Sequence, residues 1–233
     1  MNGLTDRVAI VTGGTGALGQ AVVMRLLAES VAVAVPYAVE AEAKALRARL
    51  APDDRRLVAE PADVTDATAM LRFVESVIRR HGRVDILVAG VGGFAPGALV
   101  DTDRATWDRM LALNLTSAFT AARAVVPHML ASGSGRVITV ASRAVVPPTG
   151  GFIGYTVAKA GVIALTQALA EEPRGRGVTV NAVLPSTMDT PANRAARPDA
   201  DRSGWIPVES VAEAIAFLAS DAAAHITGSL LTV

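Results

Sequence analysis

Apolar runs of strand length alternate with amphipathic segments of helix length along the whole chain. The predicted strands are residues 7–12, 31–35, 56–60, 84–89, 136–141, 178–184 and 229–233. The predicted helices lie near residues 18–29, 39–50, 66–81, 103–131, 154–171 and 208–219. Strands that are apolar throughout and rich in valine indicate a sheet that is covered on both faces. The alternation predicts right-handed crossovers, and therefore a Rossmann-type α/β fold with a doubly wound parallel sheet of about seven strands and helices on both faces.

Length and composition indicate one domain that spans residues 1–233. A chain of 233 residues is long enough for one sizeable core. Hydrophobic residues make up 51% of the chain and aromatic residues only 4%, so the core is built mainly from Ala, Val and Leu. The polar stretch 191–207, rich in Pro, Asp and Arg, lies between a predicted strand and a predicted helix. We interpret it as a surface loop or substrate lid.

Charge and cysteine content exclude several classes of function. The net charge is zero, which gives no support for binding nucleic acid or an acidic membrane. The N-terminus lacks the apolar region of a signal peptide, and no apolar run approaches the ~18 residues that cross a membrane. Without cysteine there are no disulfides or thiolate ligands, and His81, His128 and His225 lack ligand-like spacing. We expect a soluble cytoplasmic protein without a metal site.

The first predicted strand ends in the glycine-rich stretch Thr12-Gly13-Gly14-Thr15-Gly16-Ala17-Leu18-Gly19, which opens an amphipathic helix. In a dinucleotide-binding turn, such glycines let backbone amides approach the pyrophosphate, and the helix N-terminus favours its negative charge. A side chain at Gly13 is expected to exclude the phosphate. The alternative is a tight strand-to-helix turn without a ligand. Its position after the first strand favours the cofactor interpretation.

The residues at the end of the second strand do not show whether the cofactor is NAD(H) or NADP(H). An acidic residue is expected about 20 positions after the glycine turn to hold the ribose of NAD. The strand instead ends in Pro36-Tyr37-Ala38, and the first carboxylate, Glu40, falls in the next predicted helix. The nearest arginine that could bind a 2′-phosphate is Arg47. The hydroxyls of Thr15 and Tyr37 could bind that phosphate, which gives a slight preference for NADP(H).

Two further positions follow predicted strands. Asp63 and Val64 come after the third strand, where a carboxylate can accept a hydrogen bond from the adenine amino group. The alternative role, capping the next helix, fits Thr65 or Asp66 better. Gly90 opens a glycine-rich stretch after the fourth strand, which suits close passage of a cofactor.

The chain has only two tyrosines and two lysines, yet Tyr155 and Lys159 lie four positions apart. Residues i and i+4 share one face of a helix, so the phenol and the ammonium can point into one pocket. A nearby ammonium stabilises a phenolate and lowers the pKa of the phenol, which makes Tyr155 a candidate proton donor and acceptor. The alternative is a partly buried tyrosine beside a solvated lysine.

Asn114 lies between two leucines in a predicted helix, where asparagine is a poor helix former. It is either a locally bonded polar residue or a buried functional amide, and its apolar neighbours favour the second interpretation.

With the glycine turn, Asp63, Asn114, Ser142, Tyr155 and Lys159 in that order, the chain resembles the short-chain dehydrogenase/reductase family over residues 5–233. The resemblance implies that Tyr155 transfers a proton, that Ser142 orients the substrate oxygen, and that Asn114 keeps a water in line with Lys159. Lys159 would also hold the nicotinamide ribose. Segment 181–190 is similar to the family's segment after the sixth strand, whose threonine contacts the nicotinamide amide. The implied cofactor is NAD(P)(H), bound by Gly13, Thr15, Gly16, Leu18, Gly19, Tyr37, Asp63, Val64, Gly90, Tyr155, Lys159, Pro185, Thr187 and Thr190.

The motifs depart from the usual family pattern in three places. Ala17 replaces a glycine of the turn, the segment 89–92 lacks two asparagines, and Ser186 follows Pro185 where a glycine is usual. Segments 13–19, 91–94 and 184–194 are similar to quinonoid dihydropteridine reductases. Ser142 argues against that activity, because a quinonoid pterin gains little from a hydroxyl that polarises a ketone.

Three functions follow from these residues. The first is an NAD(P)(H)-dependent carbonyl reductase or alcohol dehydrogenase, and the second is a quinonoid dihydropteridine reductase. The third, a non-catalytic dinucleotide-binding regulator, has no need for Ser142, Tyr155 and Lys159 together. The substrate is expected to be compact, largely uncharged, and cyclic or aromatic rather than long-chain, since the lid is short. Its predicted pocket consists of Phe94, Ser142, Val145, Phe152, Tyr155, Met188 and Trp205.

The resemblance also implies a homodimer or homotetramer, because family members commonly pair the helices near 103–131 and 154–171. The small residues expected to form the contact surface are Thr116, Ser117, Ala118, Ala121, Ala122 and Ala124.

Overall fold

The fold is a parallel sheet with helices on both faces, seen in a computed structural model that describes residues 3–51 and 54–233. Residues 1, 2, 52 and 53 of the predicted domain lie outside this description. Within the described residues the sheet has seven strands in the order β3-β2-β1-β4-β5-β6-β7, all pairs parallel. The strands are β1 (Val8–Thr12), β2 (Ala32–Tyr37), β3 (Leu57–Pro61), β4 (Ile86–Ala89), β5 (Gly135–Val140), β6 (Val178–Leu184) and β7 (Leu230–Thr232). The predicted fold class is confirmed.

The helices match the predicted bounds to within a few residues, except that α7 lies in the predicted loop and that the predicted helix 103–131 is divided into α4 and α5. They are α1 (Ala17–Ala28), α2 (Glu40–Arg47), α3 (Ala67–His81), α4 (Arg104–Leu111), α5 (Ser117–Ser132), α6 (Ile153–Glu171), α7 (Pro191–Ala196) and α8 (Val208–Ala219). Short 3₁₀ turns occupy Leu99–Asp101 and Asp221–Ala223. Asp66 caps α3 by accepting from the amides of Thr68 and Ala69, at 2.7 and 3.1 Å.

Alternating strand residues divide the core between the two faces of the sheet. Ala9 and Val11 of β1 pack with residues of α1 and α8 on one face. Val8 and Ile10 of the same strand pack with residues of α3 and α5 on the other face. All five residues of β1 are buried, as expected for a central strand covered on both sides.

The order of the strands reverses at β1, which lies between β2 and β4. In open parallel sheets, ligands bind in the crevice outside the carboxyl ends of the strands at such a point. Here the carboxyl ends of β1 and β4 are held together, because the amide of Gly90 donates to the main-chain oxygen of Thr12 at 3.2 Å. The candidate site is therefore built on the loops that follow these strands.

The predicted continuous helix 103–131 is interrupted. A π-helical turn, Ala112–Thr116, separates α4 from α5 and contains the buried Asn114. Such turns insert an extra residue into a helix and are frequent at functional sites.

The predicted loop 191–207 also contains more structure than expected. It begins with the short helix α7, which Thr190 caps by accepting from the amide of Asn193 at 3.2 Å. A parallel bridge between Met188 and Ile206 closes its base.

The small residues expected to form an intermolecular surface on α5 mostly pack inside the chain. Ser117, Ala118, Ala121, Ala122 and Ala124 are each at most 5% exposed. These small side chains are buried inside the chain, where they allow α5 to pack closely on the sheet. The exposed apolar side chains on α5 and α6 are instead Phe119 and Val157, at 47% and 40%.

Two helical stretches, Arg104–Ser132 and Ile153–Glu171, have the length and apolar composition of a membrane span. The most apolar windows of these stretches are 56% and 39% buried inside the folded chain. Core helices of a sandwich of this kind have the same composition, so the property is weak evidence for a membrane.

Candidate active site

Four predicted catalytic residues come from three neighbouring elements. Ser142 follows the end of β5, Tyr155 and Lys159 lie in the first turns of α6, and Asn114 lies in the π turn. Ser142, Lys159 and Asn114 are buried, with exposures of 8%, 5% and 1%, whereas Tyr155 is partly exposed. The fold therefore leaves the phenol accessible in front of three buried polar groups.

Lys159 is held behind the phenol by the main chain of β5. Its Nζ donates to the carbonyl oxygen of Val140 at 2.6 Å and lies 6.0 Å from the centroid of the Tyr155 ring. Burial lowers the pKa of Lys159 to about 8, because removing an ammonium from water disfavours its charged form. No carboxylate within 4 Å of Nζ is found in the described part of the chain.

Tyr155 differs from the expectation in the direction of its pKa shift. Burial raises the pKa of the phenol, and its hydrogen-bonding contact with Ser142 only partly opposes that rise. The expected effect of Lys159 does not offset this rise. Its ammonium is bonded to the Val140 carbonyl, and desolvation of the phenolate dominates.

The Ser142 hydroxyl is oriented by its own loop. Its Oγ accepts a hydrogen bond from the amide of Ala144 at 3.2 Å. This leaves the hydroxyl proton available for donation to a second group, since a serine hydroxyl has one donor and two acceptor positions.

Asn114 joins the π turn to the loop after β4. Its Oδ1 accepts from the amide of Gly93 at 3.2 Å, and its Nδ2 donates to the carbonyl oxygens of Gly93 and Met110, both at 3.0 Å. The side chain is thus a buried, locally bonded amide. These bonds fix the position of the loop that contains Gly93.

Gly92 is a site residue that the sequence interpretation did not single out. A Cβ atom at this position would lie 2.8 Å from Asn114 Oδ1 and 3.3 Å from Lys159 Nζ. Only a glycine leaves room between these two groups. The glycine-rich stretch after β4 was a signal for close approach, but nothing in the local sequence indicates which groups approach it.

The glycine turn after β1 has the features of a pyrophosphate cradle. Gly16 is the N-cap of α1, no side chain caps this helix, and its first turn has no acidic residue. A Cβ atom at Gly16 would meet only the oxygen of Gly13, at 3.5 Å, so the fold itself does not require glycine there. Free helix amides beside open space fit an anionic ligand.

Gly13 and Gly19 serve the turn itself. Gly13 has φ +71°, and a Cβ atom would lie 2.9 Å from the carbonyl of Gly90. At Gly19 a Cβ atom would lie 1.9 Å from the oxygen of Gly13. A side chain at Gly13 would therefore strain the backbone before it met a phosphate, and Gly16 is the better probe of ligand binding.

On the adenosine side, both hydroxyls expected to bind a 2′-phosphate are engaged with carboxylates. Thr15 Oγ1 donates to Glu42 Oε2 at 2.8 Å, and the Tyr37 hydroxyl donates to Glu40. The hydrogen bond to Glu40 raises the pKa of Tyr37, because it favours the protonated phenol. Glu42 was not identified from the sequence, and Glu40 was noted there only as a helix residue.

Asp63 is exposed, and its carboxylate accepts from the amide and hydroxyl of Thr65, at 2.8 and 2.7 Å. The hydrogen bonds from Thr65 lower the pKa of Asp63, so its carboxylate stays charged. Val64 packs at the edge of the core on the α3 side of the sheet, and Leu18, in the first turn of α1, packs at the edge of the core on the other side. No contact in the described residues joins Asp63 or Val64 to the catalytic group.

Three aromatic rings form a cluster around the phenol. The ring of Phe94 lies 5.5 Å from that of Phe152 and 5.2 Å from that of Tyr155, and Phe152 lies 6.0 Å from Tyr155. Phe94 is 60% exposed. An exposed aromatic ring beside a candidate acid/base can contact a substrate.

The other predicted pocket residues lie on the surrounding loops. Val145 is buried beside Ser142, and Met188 is partly buried at the base of the lid. Trp205 contacts the guanidinium groups of Arg197 and Arg202, which lie 5.3 and 5.8 Å from its ring centroid. No contact joins Trp205 to Tyr155 among the described residues.

The segment after β6 is tied to both the active-site loop and the lid. The carbonyl of Pro185 accepts from the amide of Arg143 at 3.0 Å. Thr187 Oγ1 accepts from the guanidinium of Arg197 at 3.4 Å. The hydroxyl of Thr190 caps α7, so of the two predicted threonines Thr187 is the freer to contact a ligand.

The match to a known family decides the class of protein. Residues 7–201 match the family described as short chain dehydrogenase. The chain belongs to this family. It is therefore an oxidoreductase of a family that uses NAD(P)(H), and the regulator hypothesis is set aside.

The similar proteins cover the whole chain. A 3-oxoacyl-[acyl-carrier-protein] reductase of Synechocystis sp. is 35% identical over 100% of this chain and 97% of its own length. A cis-4-hydroxycyclohexanecarboxylate dehydrogenase of Sinomonas cyclohexanicum is 36% identical over 98% of this chain and 95% of its own length. The crystal structure of levodione reductase matches with a TM-score of 0.90 at 27% identity, over 98% of this chain and 96% of that one.

Proposed function

We propose that the protein is a carbonyl reductase or alcohol dehydrogenase for compact, largely uncharged, cyclic or aromatic compounds, with Tyr155 as its acid and base. The observation that supports this most is the aromatic cluster of Phe94, Phe152 and Tyr155, in which an exposed ring lies 5.2 Å from the phenol. A flat or cyclic substrate can pack on such rings while its oxygen reaches Ser142 and Tyr155.

In the proposed reduction, a bound reduced nicotinamide would supply a hydride to the carbonyl carbon, and the oxidised form would accept one in the reverse direction. Tyr155 gives its proton to the oxygen, so that the C=O group becomes CH–OH and the phenol becomes a phenolate. Ser142 donates a hydrogen bond to the same oxygen and orients it. General acid catalysis of this kind contributes ~10²–10⁴-fold to the rate.

Lys159 and Asn114 act from behind the phenol in this proposal. The ammonium of Lys159 stabilises the phenolate that forms and holds the nicotinamide ribose hydroxyls. Asn114 fixes the loop that contains Gly92, and so keeps the space in front of Nζ where a relay water would lie. The short distances that a Cβ atom at position 92 would have to both groups support this arrangement.

A 3-oxoacyl thioester reductase is the second candidate, because the relative from Synechocystis sp. bears that name at 35% identity over the whole chain. The cyclic substrate named for the relative from Sinomonas cyclohexanicum supports the first candidate at 36% identity. The aromatic cluster favours the cyclic substrate over a flexible acyl chain. A quinonoid dihydropteridine reductase rests only on the local resemblance of three segments, and Ser142 argues against it.

The test is a screen that follows the absorbance of NADH and NADPH with four kinds of substrate: substituted cyclohexanones, aryl ketones, 3-oxoacyl thioesters and a quinonoid dihydropterin. We expect kcat/KM for the best cyclic or aryl ketone to exceed that for any thioester by at least about tenfold. A preference for the thioester or the pterin would replace the first candidate with the corresponding alternative.

Tyr155→Phe tests the role of the phenol, because phenylalanine keeps the ring in the cluster and removes only the hydroxyl. Turnover should fall at least ~10²-fold while NADH binding changes little. Turnover similar to the wild type would contradict the mechanism.

We also propose that the enzyme is a homodimer or homotetramer that pairs α5 and α6, since Phe119 and Val157 are exposed there. Phe119→Glu with Val157→Glu should lower the mass measured by light scattering. Leu71→Glu, at an equally exposed apolar position on α3, is the control. A monomeric wild type at micromolar concentration would contradict the proposal. The absence of cysteine fits a cytoplasmic enzyme.

A further inference from the structure

The N-terminus of α2 and the glycine turn face each other across the carboxyl ends of β1 and β2. One hydrogen bond crosses this gap, from Thr15 to Glu42, and a second, from Tyr37 at the end of β2 to Glu40, lies beside it. Thr15 and Tyr37 are each 9% exposed, whereas both glutamates are exposed. The buried hydroxyls therefore hold two carboxylates at the surface where the adenosine ribose of a dinucleotide is bound in folds of this type.

Hydrogen-bond capacity distinguishes the two possible ligands at this position. The protons of both hydroxyls are already donated, so each hydroxyl can only accept a further hydrogen bond. A 2′-phosphate dianion has no proton to give, and it would also face two carboxylates. A free ribose 2′-hydroxyl can donate to a carboxylate and accept from a nearby donor, so it complements the same groups.

Two arginines near this gap already have partners. Arg47 pairs with Glu40 at 3.3 Å, donates to the carbonyl of Ala59 at 2.6 Å and lies over the Tyr37 ring at 5.6 Å. Arg49 donates to the side chain of Gln20 at 2.9 Å. A 2′-phosphate would have to displace at least one of these contacts to gain either arginine as a partner.

We propose that Glu42 and Glu40, oriented by Thr15 and Tyr37, select NAD(H) over NADP(H) by binding the free ribose hydroxyls and repelling a 2′-phosphate. This inference rests on the proposed function, since it concerns the cofactor of that site. It replaces the slight preference for NADP(H) that the two hydroxyls alone indicated. Each carboxylate about 4 Å from a phosphate charge in water lowers affinity roughly fivefold, so two should give a preference above about tenfold.

Binding is measured without turnover, by the fluorescence of NADH and NADPH and by calorimetric titration with 5′-AMP and adenosine 2′,5′-bisphosphate. The wild type should bind NADH at least about tenfold more tightly than NADPH, and 5′-AMP more tightly than the bisphosphate. Glu40→Gln with Glu42→Gln should reduce both ratios by at least about tenfold, because the repulsion is removed while the side-chain shape is kept.

Glu75→Gln, an exposed carboxylate on α3, is the matched control and should leave the ratios unchanged. Equal or tighter binding of NADPH by the wild type, or unchanged ratios in the double variant, would overturn the inference alone. Failure of the wild type to bind either dinucleotide would overturn the proposed function and this inference with it. Thermal unfolding of each variant confirms that it is folded.

Discussion

The ammonium of Lys159 lies 6.0 Å from the centroid of the Tyr155 ring and is bonded to the main-chain oxygen of Val140 at 2.6 Å. The spacing of four residues along a helix brought the two groups into one site, as the sequence predicts. It did not place the ammonium against the phenol oxygen, because the ammonium donates a hydrogen bond to the carbonyl at the end of β5. In the proposed mechanism Lys159 acts on Tyr155 across a short gap, so its own protonation state becomes important.

The first prediction concerns the pH dependence that follows from Lys159. Burial lowers its pKa from 10.5 to about 8, so the unfolded chain binds more protons than the folded chain between these values. Stability should therefore rise with pH across this window, by up to about 3 kcal/mol from this group. Lys159→Met removes the titration. The difference in unfolding free energy between wild type and variant, measured by denaturant titration from pH 7.5 to 10.5, should increase in favour of the wild type.

The same titration should affect catalysis. Above pH 8 the ammonium loses its charge and no longer stabilises the Tyr155 phenolate, so kcat for reduction should fall as the pH rises through this value. A stability difference that stays constant across the window would contradict the burial-driven shift of Lys159.

The second prediction concerns Gly92. In Gly92→Ala the new methyl group would lie 2.8 Å from Asn114 Oδ1 and 3.3 Å from Lys159 Nζ, so one of these groups must move. We expect kcat to fall at least about tenfold with little change in melting temperature. Gly150→Ala is the control, because a Cβ atom there would meet nothing within 4 Å. Equal kinetics for the two variants would show that the space beside Gly92 has no catalytic importance.

The third prediction separates cofactor binding from folding in the glycine turn. Gly16→Val should abolish binding of both NADH and NADPH in a folded protein, because the side chain fills space that the chain itself leaves open. Gly13→Val should lower the melting temperature as well, because of the positive φ of Gly13 and the contact with Gly90. Fluorescence titration and thermal unfolding measure the two effects. Normal cofactor binding in Gly16→Val would contradict the proposed cradle.

Strands could be predicted closely from the sequence, and β6 has the predicted bounds Val178–Leu184. Its seven residues are all buried, so their pattern has a single interpretation. The break at Ala112–Thr116 could not be predicted, because it accompanies the bonds between Asn114 and Gly93, 21 positions apart. Local helix preference contains no information on a partner at that distance.

The sequence also did not allow us to predict which face of α5 is buried and which is exposed. Ala118 and Ala121 are buried while Phe119 is 47% exposed, although a large apolar side chain is usually expected to be the more buried one. Alanine suits both a packed face and a surface, and an Ala-rich helix has little polar patterning to tell them apart. The pairing of Thr15 with Glu42 was missed for a similar reason, since it joins residues 27 positions apart on two elements.

The last prediction concerns Trp205 on the lid. The guanidinium groups of Arg197 and Arg202 lie 5.3 and 5.8 Å from the centroid of its ring, and these two contacts help to hold the ring in position. If the lid closes over the substrate, this ring would contact the ground state and the transition state alike. Trp205→Ala should then raise KM more than it lowers kcat, as expected for the loss of uniform binding. Steady-state kinetics with the best cyclic ketone measure both constants.

Arg202→Leu is the matched variant, because it removes one of the two cationic contacts and keeps the ring. It should raise KM by less than Trp205→Ala does. Loss of turnover at unchanged KM in Trp205→Ala would mean that the ring acts on the chemical step. A preference for highly charged substrates would instead assign substrate recognition to the lid arginines rather than to the aromatic cluster. An anionic group would bind to their guanidinium donors.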